Sequence, residues 1–336
     1  MRSDDASSAA NPRAAGRSSA NPGYLEPSTQ HFIEALAVSG TTPFDTLSTA
    51  EARGMLARAQ AGPVGKPPAR VEDTSFPIGP KGSVAVRIVR PSRPNGALPA
   101  VVYFHGGGWI LGGVHTHDRL IRELANGVDA ALVFVDYSCS PESRFPTALE
   151  EAYAATRYVA EHAAVLGVDE SRLAIAGDNA GGNLAAAVSL LAKERRGPRI
   201  DFQLLFYPIT DARFDTESYR CFANGPWLTR RAMEWFWDAY LPDRSARRQI
   251  LATPLNASID QLRGLPEALV IVAENDVLRD EGEAYARRLS EAGVRVTSTR
   301  YSGTIHDFVM LNAIADSPAT RAAIDQAIAA LRVALA

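Results

Sequence analysis

Four stretches of the chain hold residues whose types and spacing suit chemistry at a carbonyl group. His105, Gly106, Gly107, Gly108 and Trp109 directly follow the apolar run Val101 to Phe104. Glycines in such a loop let the backbone turn its N–H groups toward a ligand, which is what a developing oxyanion needs. A glycine-rich turn alone is a weak signal. It gains weight from Gly177, Asp178, Asn179, Ala180, Gly181 and Gly182, which follow the run Leu173 to Ala176 and open an apolar helix carrying Leu184, Val188 and Leu191. Strand, glycine-flanked turn and helix is the setting in which one residue is held above a sheet as a nucleophile. That residue is Asn179. Downstream, Asp276 sits just past the run Leu269 to Ala273, and His306 lies in a loop after a strand expected over Arg295 to Tyr301. Elbow, acid and histidine at 179, 276 and 306 follow one known chain order for nucleophilic catalysis. The order is right, but the nucleophile is missing.

The elements that must position these residues can be read from periodicity. Short apolar runs beginning at Val101, Leu132, Leu173, Gln203 and Leu269 alternate with helical patterns, which implies an α/β fold with a mostly parallel sheet and helices on both faces. Val84, Val86 and Ile88 alternate after a Pro80, Lys81, Gly82 turn, as in an antiparallel hairpin at a sheet edge. Ahead of the sheet, Ser28 to Val38 reads as one helix. A second starts at Thr49, capped by the Ser48 and Glu51 spacing. Ser317 and Pro318 mark the start of a last helix carrying Ile324, Ile328, Leu331 and Leu335. Between Pro208 and Pro266 the strand rhythm stops, and Met233, Phe236, Trp237 and Tyr240 form an aromatic helical face beginning near Thr229, as in an inserted lid. Residues 1–24, rich in Ser, Ala, Asn and Pro, read as a disordered tail.

Composition narrows the function. The 336 residues are 46% hydrophobic and 22% charged, enough to bury a sizeable core, so global disorder and fibrous architectures are excluded. Thirty-five basic against 38 acidic residues give a net charge of −3, without the basic excess that nucleic-acid binding needs. No apolar run is long enough to span a membrane. Cys139 and Cys221 are too few for a disulfide framework, and a reducing cytoplasm is the default compartment. His115 and His117 have the spacing of a zinc pair but lack a third ligand, so neither metal nor cofactor is expected. His31 and His162 fall in expected helices and read as surface residues.

Taken together, HGGGW at His105 to Trp109, THDRL at Thr116 to Leu120, DYSCSPESRFP at Asp136 to Pro146, GDNAGG at Gly177 to Gly182, ENDVLRDEG at Glu274 to Gly282 and GTIHDF at Gly303 to Phe308 resemble the hormone-sensitive-lipase-like (bacterial family IV) esterases of the α/β-hydrolase superfamily. The likeness runs over about residues 25 to 336. It implies N-terminal cap helices in 25–65 and a catalytic domain over 70–336 with a cap insertion at about 209–252. It further implies that Gly106, Gly107 and Ala180 supply oxyanion N–H groups and that Asp276, rather than Asp280 or Glu281, orients His306. The THD segment would brace the oxyanion loop, while Asp178 is expected to hydrogen-bond within its own turn. Gly108, Trp109, Trp227 and Phe308 adjoin these motifs and are candidates for the substrate pocket. A homodimer through a sheet edge is compatible with the family, but nothing in the sequence specifies one.

The resembled family carries serine at the elbow. A carboxamide nitrogen has its lone pair delocalised and is a poor nucleophile, so the expected activity is that of a severely impaired hydrolase of short to medium acyl esters. Two alternatives stand beside it: His306 acting as general base without a covalent intermediate, as hydrolase or dehydratase, and a catalytically silent small-molecule binder. Asparagine tolerates positive φ, so Asn179 is expected to fit the elbow without loss of stability.

Overall fold

Every apolar run with strand character pairs into one sheet. The computed structural model describes residues 23–40, 42–93 and 96–336. The strands are β1 (Ala69–Phe76), β2 (Val84–Pro91), β3 (Leu98–Phe104), β4 (Ala131–Asp136), β5 (Val168–Asp178), β6 (Phe202–Phe206), β7 (Glu267–Asn275) and β8 (Val296–Ile305). Their order is β1-β2-β4-β3-β5-β6-β7-β8. β2 is antiparallel to both β1 and β4, and the remaining pairs are parallel. All of β3 and β6 is buried, as strands covered on both faces must be.

Between the strands run α1 (Pro27–Val38), α2 (Thr49–Ala59), α3 (Val114–Val128), α4 (Thr147–Glu161), α5 (Ala163–Leu166), α6 (Ala180–Arg195), α7 (Glu217–Cys221), α8 (Arg230–Tyr240), α9 (Ile259–Leu262), α10 (Arg279–Glu291) and α11 (Pro318–Ala334). The expected caps form. Ser48 Oγ accepts from the Glu51 N–H at 3.3 Å while Glu51 Oε2 accepts from the Ser48 N–H at 2.9 Å, and Ser317 and Thr229 cap α11 and α8. β1 is the strand with the weakest sequence signal: all its residues from Val71 to Ser75 are exposed, so it shows no apolar alternation.

Residues 1–22, most of the expected tail, lie outside the described residues. Its expected boundary at 24 falls in docked chain. Asn275 Nδ2 donates to the Tyr24 carbonyl at 3.0 Å, and the Glu26 N–H donates to the Gly303 carbonyl at 3.0 Å, which ties the chain to the ends of β7 and β8. Among the described residues no helix is long and apolar enough to cross a membrane.

Candidate active site

The parallel strands end at one edge of the sheet, where ligands of open α/β sheets bind. β5 delivers Asn179 there. Its backbone takes φ 51° and ψ −114°, its N–H donates to the Phe206 carbonyl at 3.0 Å, and α6 begins at the next residue. The turn is tight enough that a Cβ on Gly181 would collide with the Phe104 carbonyl. The positive φ is as expected, but ψ lies outside the left-handed helical well, so a preference for that well does not account for the fit. The side chain is held by three hydrogen bonds instead.

Asn179 Oδ1 accepts from the Gly107 N–H at 3.1 Å and the Gly108 N–H at 2.8 Å, and Nδ2 lies 2.9 Å from His306 Nε2. Backbone N–H groups can only donate, so they fix the amide with its oxygen in the glycine loop and its nitrogen toward the imidazole. On the far side of the ring, His306 Nδ1 lies 2.7 Å from Asp276 Oδ2. An Nδ1–H donated to that carboxylate leaves a lone pair on Nε2 to accept from the amide, so this network requires a neutral ring.

The surrounding charges pull the other way. Burial lowers the proton affinity of His306, but Asp276 and Asp307 outweigh it and raise the group to about 9. Asp307 Oδ1 lies 3.3 Å from Nε2 and has no hydrogen-bond partner among the described residues, while Oδ2 accepts from Trp227 Nε1 at 2.8 Å. Protonation would set an Nε2–H against the Asn179 amino group, donor against donor. The carboxamide therefore opposes the charge state that the two aspartates favour.

Several expected positions need correction. The Gly106 N–H is not free to face a ligand, because it donates to Asp178 Oδ1 at 3.0 Å; Gly107 and Gly108 provide the pair aimed at Asn179. Asp178 reaches beyond its own turn. It also accepts from Tyr103 Oη at 2.7 Å and lies 3.3 Å from His117 Nε2, so it fastens the glycine loop to β3 and α3. Ala180 occupies the first position of α6, where an N–H has no partner within the helix. Trp109 is fully buried and stacks on Tyr240 at 4.1 Å, fixing the insert to the body rather than lining a pocket. Phe308 is likewise buried, between Tyr207 and Tyr301. Trp227 is half-buried and lines two neighbouring clefts of about 470 and 260 Å³ between α1, α2 and the insert.

Glu281 accepts from the N–H groups of Thr210 and Asp211, and Asp280 from that of Ser218, so neither competes for His306. His117 is held by Thr116 and Asp178. His31 is exposed, and half-buried His162 stacks on Tyr158 at 3.9 Å. Among the described residues no group of three metal-binding side chains occurs.

Aromatic rings roof the site. Phe236 lies against Gly108, Phe44 packs on Phe236 and Trp227, and Phe32 packs on Trp227. Beneath this roof Asn179 and His306 are each only 2% exposed. Two anchors of α2 gave no sequence signal. Arg53 donates to the Ile110 carbonyl at 2.8 Å, and Gln60 donates to the Thr116 and Met310 carbonyls. Tyr207, edge-on to the His306 ring at 4.8 Å, was also missed, since its position depends on where β6 ends.

Fold and site define a hydrolase of the α/β class. Residues 101–310 match the model of the alpha/beta hydrolase fold family, and the chain belongs to that family. Within it the chain is a carboxylesterase-family hydrolase by fold and relatives. Carboxylesterase NlhH of Mycobacterium tuberculosis (strain H37Rv) is 37% identical over 312 residues, 93% of this chain and 96% of that protein. Ethyl acetate hydrolase of Pseudomonas putida is 34% identical over 289 residues, 84% of this chain and 90% of that one. The crystal structure of a thermostable esterase from Pseudomonas putida ECU1011 superposes with a TM-score of 0.91 at 51% identity, covering 93% of this chain and 98% of that one.

Proposed function

We propose that this chain is a hydrolase of short to medium acyl esters whose turnover is severely impaired because Asn179 stands in the place of the attacking serine. The supporting observation is the span of the Asn179 carboxamide from the Gly107 and Gly108 N–H groups to His306 Nε2. A serine hydroxyl at this position would give its proton to Nε2 as its oxygen attacks the ester carbonyl. The carbonyl oxygen, gaining charge, would be held by the Gly107, Gly108 and Ala180 N–H groups. The alcohol would leave with the proton from His306, and water would then release the acid by the same route.

Asn179 removes two parts of this sequence. Its nitrogen is a poor nucleophile, and its oxygen fills the cradle in which the ester carbonyl must sit. The second effect also weighs against the two alternatives, a non-covalent route through His306 and silent binding of a carbonyl ligand, because both need a vacant cradle. The substrate is a small-molecule ester, and no cofactor takes part in the proposed steps.

A fluorophosphonate that modifies activated serines tests this assignment. The parent chain should remain unlabelled, Asn179→Ser should be labelled at residue 179, and adding His306→Ala should suppress the labelling. Labelling of the parent, or a folded Asn179→Ser that stays inert to the reagent, would refute it.

A further inference from the structure

A cleft of about 760 Å³ opens on the insert, away from Asn179, Asp276 and His306, none of which lines it. Five guanidinium groups do: Arg213, Arg230, Arg244, Arg247 and Arg248. Three carboxylates neutralise part of this charge. Asp211 holds Arg213 at 2.6 Å, Glu234 holds Arg230 at 2.9 Å, and Asp238 takes both Arg247 at 2.5 Å and Arg244 at 3.7 Å. Asp215 and Asp243 act on Arg213 and Arg247 as well, so cations and carboxylates around the cleft are near balance and the unpaired charge lies at Arg248. Exposed Arg248 has no ion-pair or hydrogen-bond partner among the described residues.

Arg247 is the fixed member of the set. Only 5% exposed, it donates through Nε to the Leu241 carbonyl at 2.8 Å and through Nη2 to Asp238, with its plane near the Trp237 ring at 5.7 Å. Its Nη1 makes no hydrogen bond to the described residues, and the residue lines the cleft. A guanidinium immobilised in this way loses little entropy on binding and keeps its Nη1 donors for a phosphate oxygen. Phe214, half-buried and edge-on to Tyr219 at 5.5 Å, gives the same cleft an apolar wall.

We propose that this cleft binds a small organic phosphate, its dianion between Arg247 and Arg248 and its apolar body against Phe214. Such a ligand would join the loop at 211–214, the first turns of α8 and the turn at 244–248. The proposal is independent of the ester chemistry, since it uses none of the groups at residues 179, 276 and 306.

Calorimetric titration of the full chain with AMP, and with AMP in the presence of inorganic phosphate, provides the test. AMP should bind with one site per chain, and inorganic phosphate should compete. Arg248→Glu should weaken AMP about tenfold or more, the worth of one charge-assisted hydrogen bond. Arg332→Glu, at an exposed arginine of α11, should leave binding unchanged. Absence of AMP binding, failure of phosphate to compete, or equal weakening in both variants would overturn the proposal.

Discussion

The Asn179 amide and a second ring proton compete for one lone pair, that of His306 Nε2. The amide needs an unprotonated Nε2, whereas Asp276 and Asp307 raise the ring to about 9. A serine hydroxyl can turn to accept from a protonated ring, but an amide nitrogen cannot accept at all. His306 should therefore titrate at lower pH in the parent than in Asn179→Ser, as followed by the ring carbon shifts in NMR. An equal or higher midpoint in the parent would mean that the amide is not bonded to Nε2. In the serine form, ester hydrolysis needs the same lone pair and should rise with pH toward the His306 midpoint. Gly106 shows where residue-level reading fails. Its position in the glycine loop was plain, but the direction of its N–H depends on Asp178, 72 residues away.

Arg53 of helix α2 reaches the residue that follows the glycine loop. Besides the Ile110 carbonyl, Arg53 donates to the Ser140 carbonyl at 3.0 Å and to both oxygens of Glu142 at 2.8 Å. Arg53 holds the exposed Glu142 carboxyl at about 2, below its ordinary value of 4.5. A depressed carboxyl pKa contributes stability above the unfolded value and loses it as pH falls through the folded one, so the contact should persist from neutral pH down to about 4. Limited proteolysis should cut between α1 and α2 faster in Arg53→Ala than in the parent at pH 7, with the parent keeping its protection as the pH falls to about 4. Equal cutting of both would deny Arg53 this role. The helices themselves were legible because caps and apolar spacing are local. Their docking was not, because Arg53 and Gln60 act across 57 and 56 residues on backbone carbonyls that carry no side-chain signature.

The mostly parallel sheet and the turns that carry Asn179, Asp276 and His306 past strand ends could be anticipated because buried parallel strands need continuous apolar runs and tight turns need glycine. The roof could not. Trp109 and Phe308 stand beside reactive motifs in sequence yet pack inward, while Phe32 and Phe44 from the N-terminal helices meet Trp227 and Phe236 from the insert. Which aromatic faces a ligand is decided by how these separate segments close over the strand ends. On the proposed function this architecture serves a serine nucleophile whose place Asn179 takes, and introducing that serine is the decisive experiment. The kcat/KM of Asn179→Ser for p-nitrophenyl butyrate should exceed that of the parent by roughly a factor of 10⁴ to 10⁶, the range attributed to an activated serine. A folded Asn179→Ser protein no faster than the parent would contradict the assignment of residue 179 as the nucleophile position.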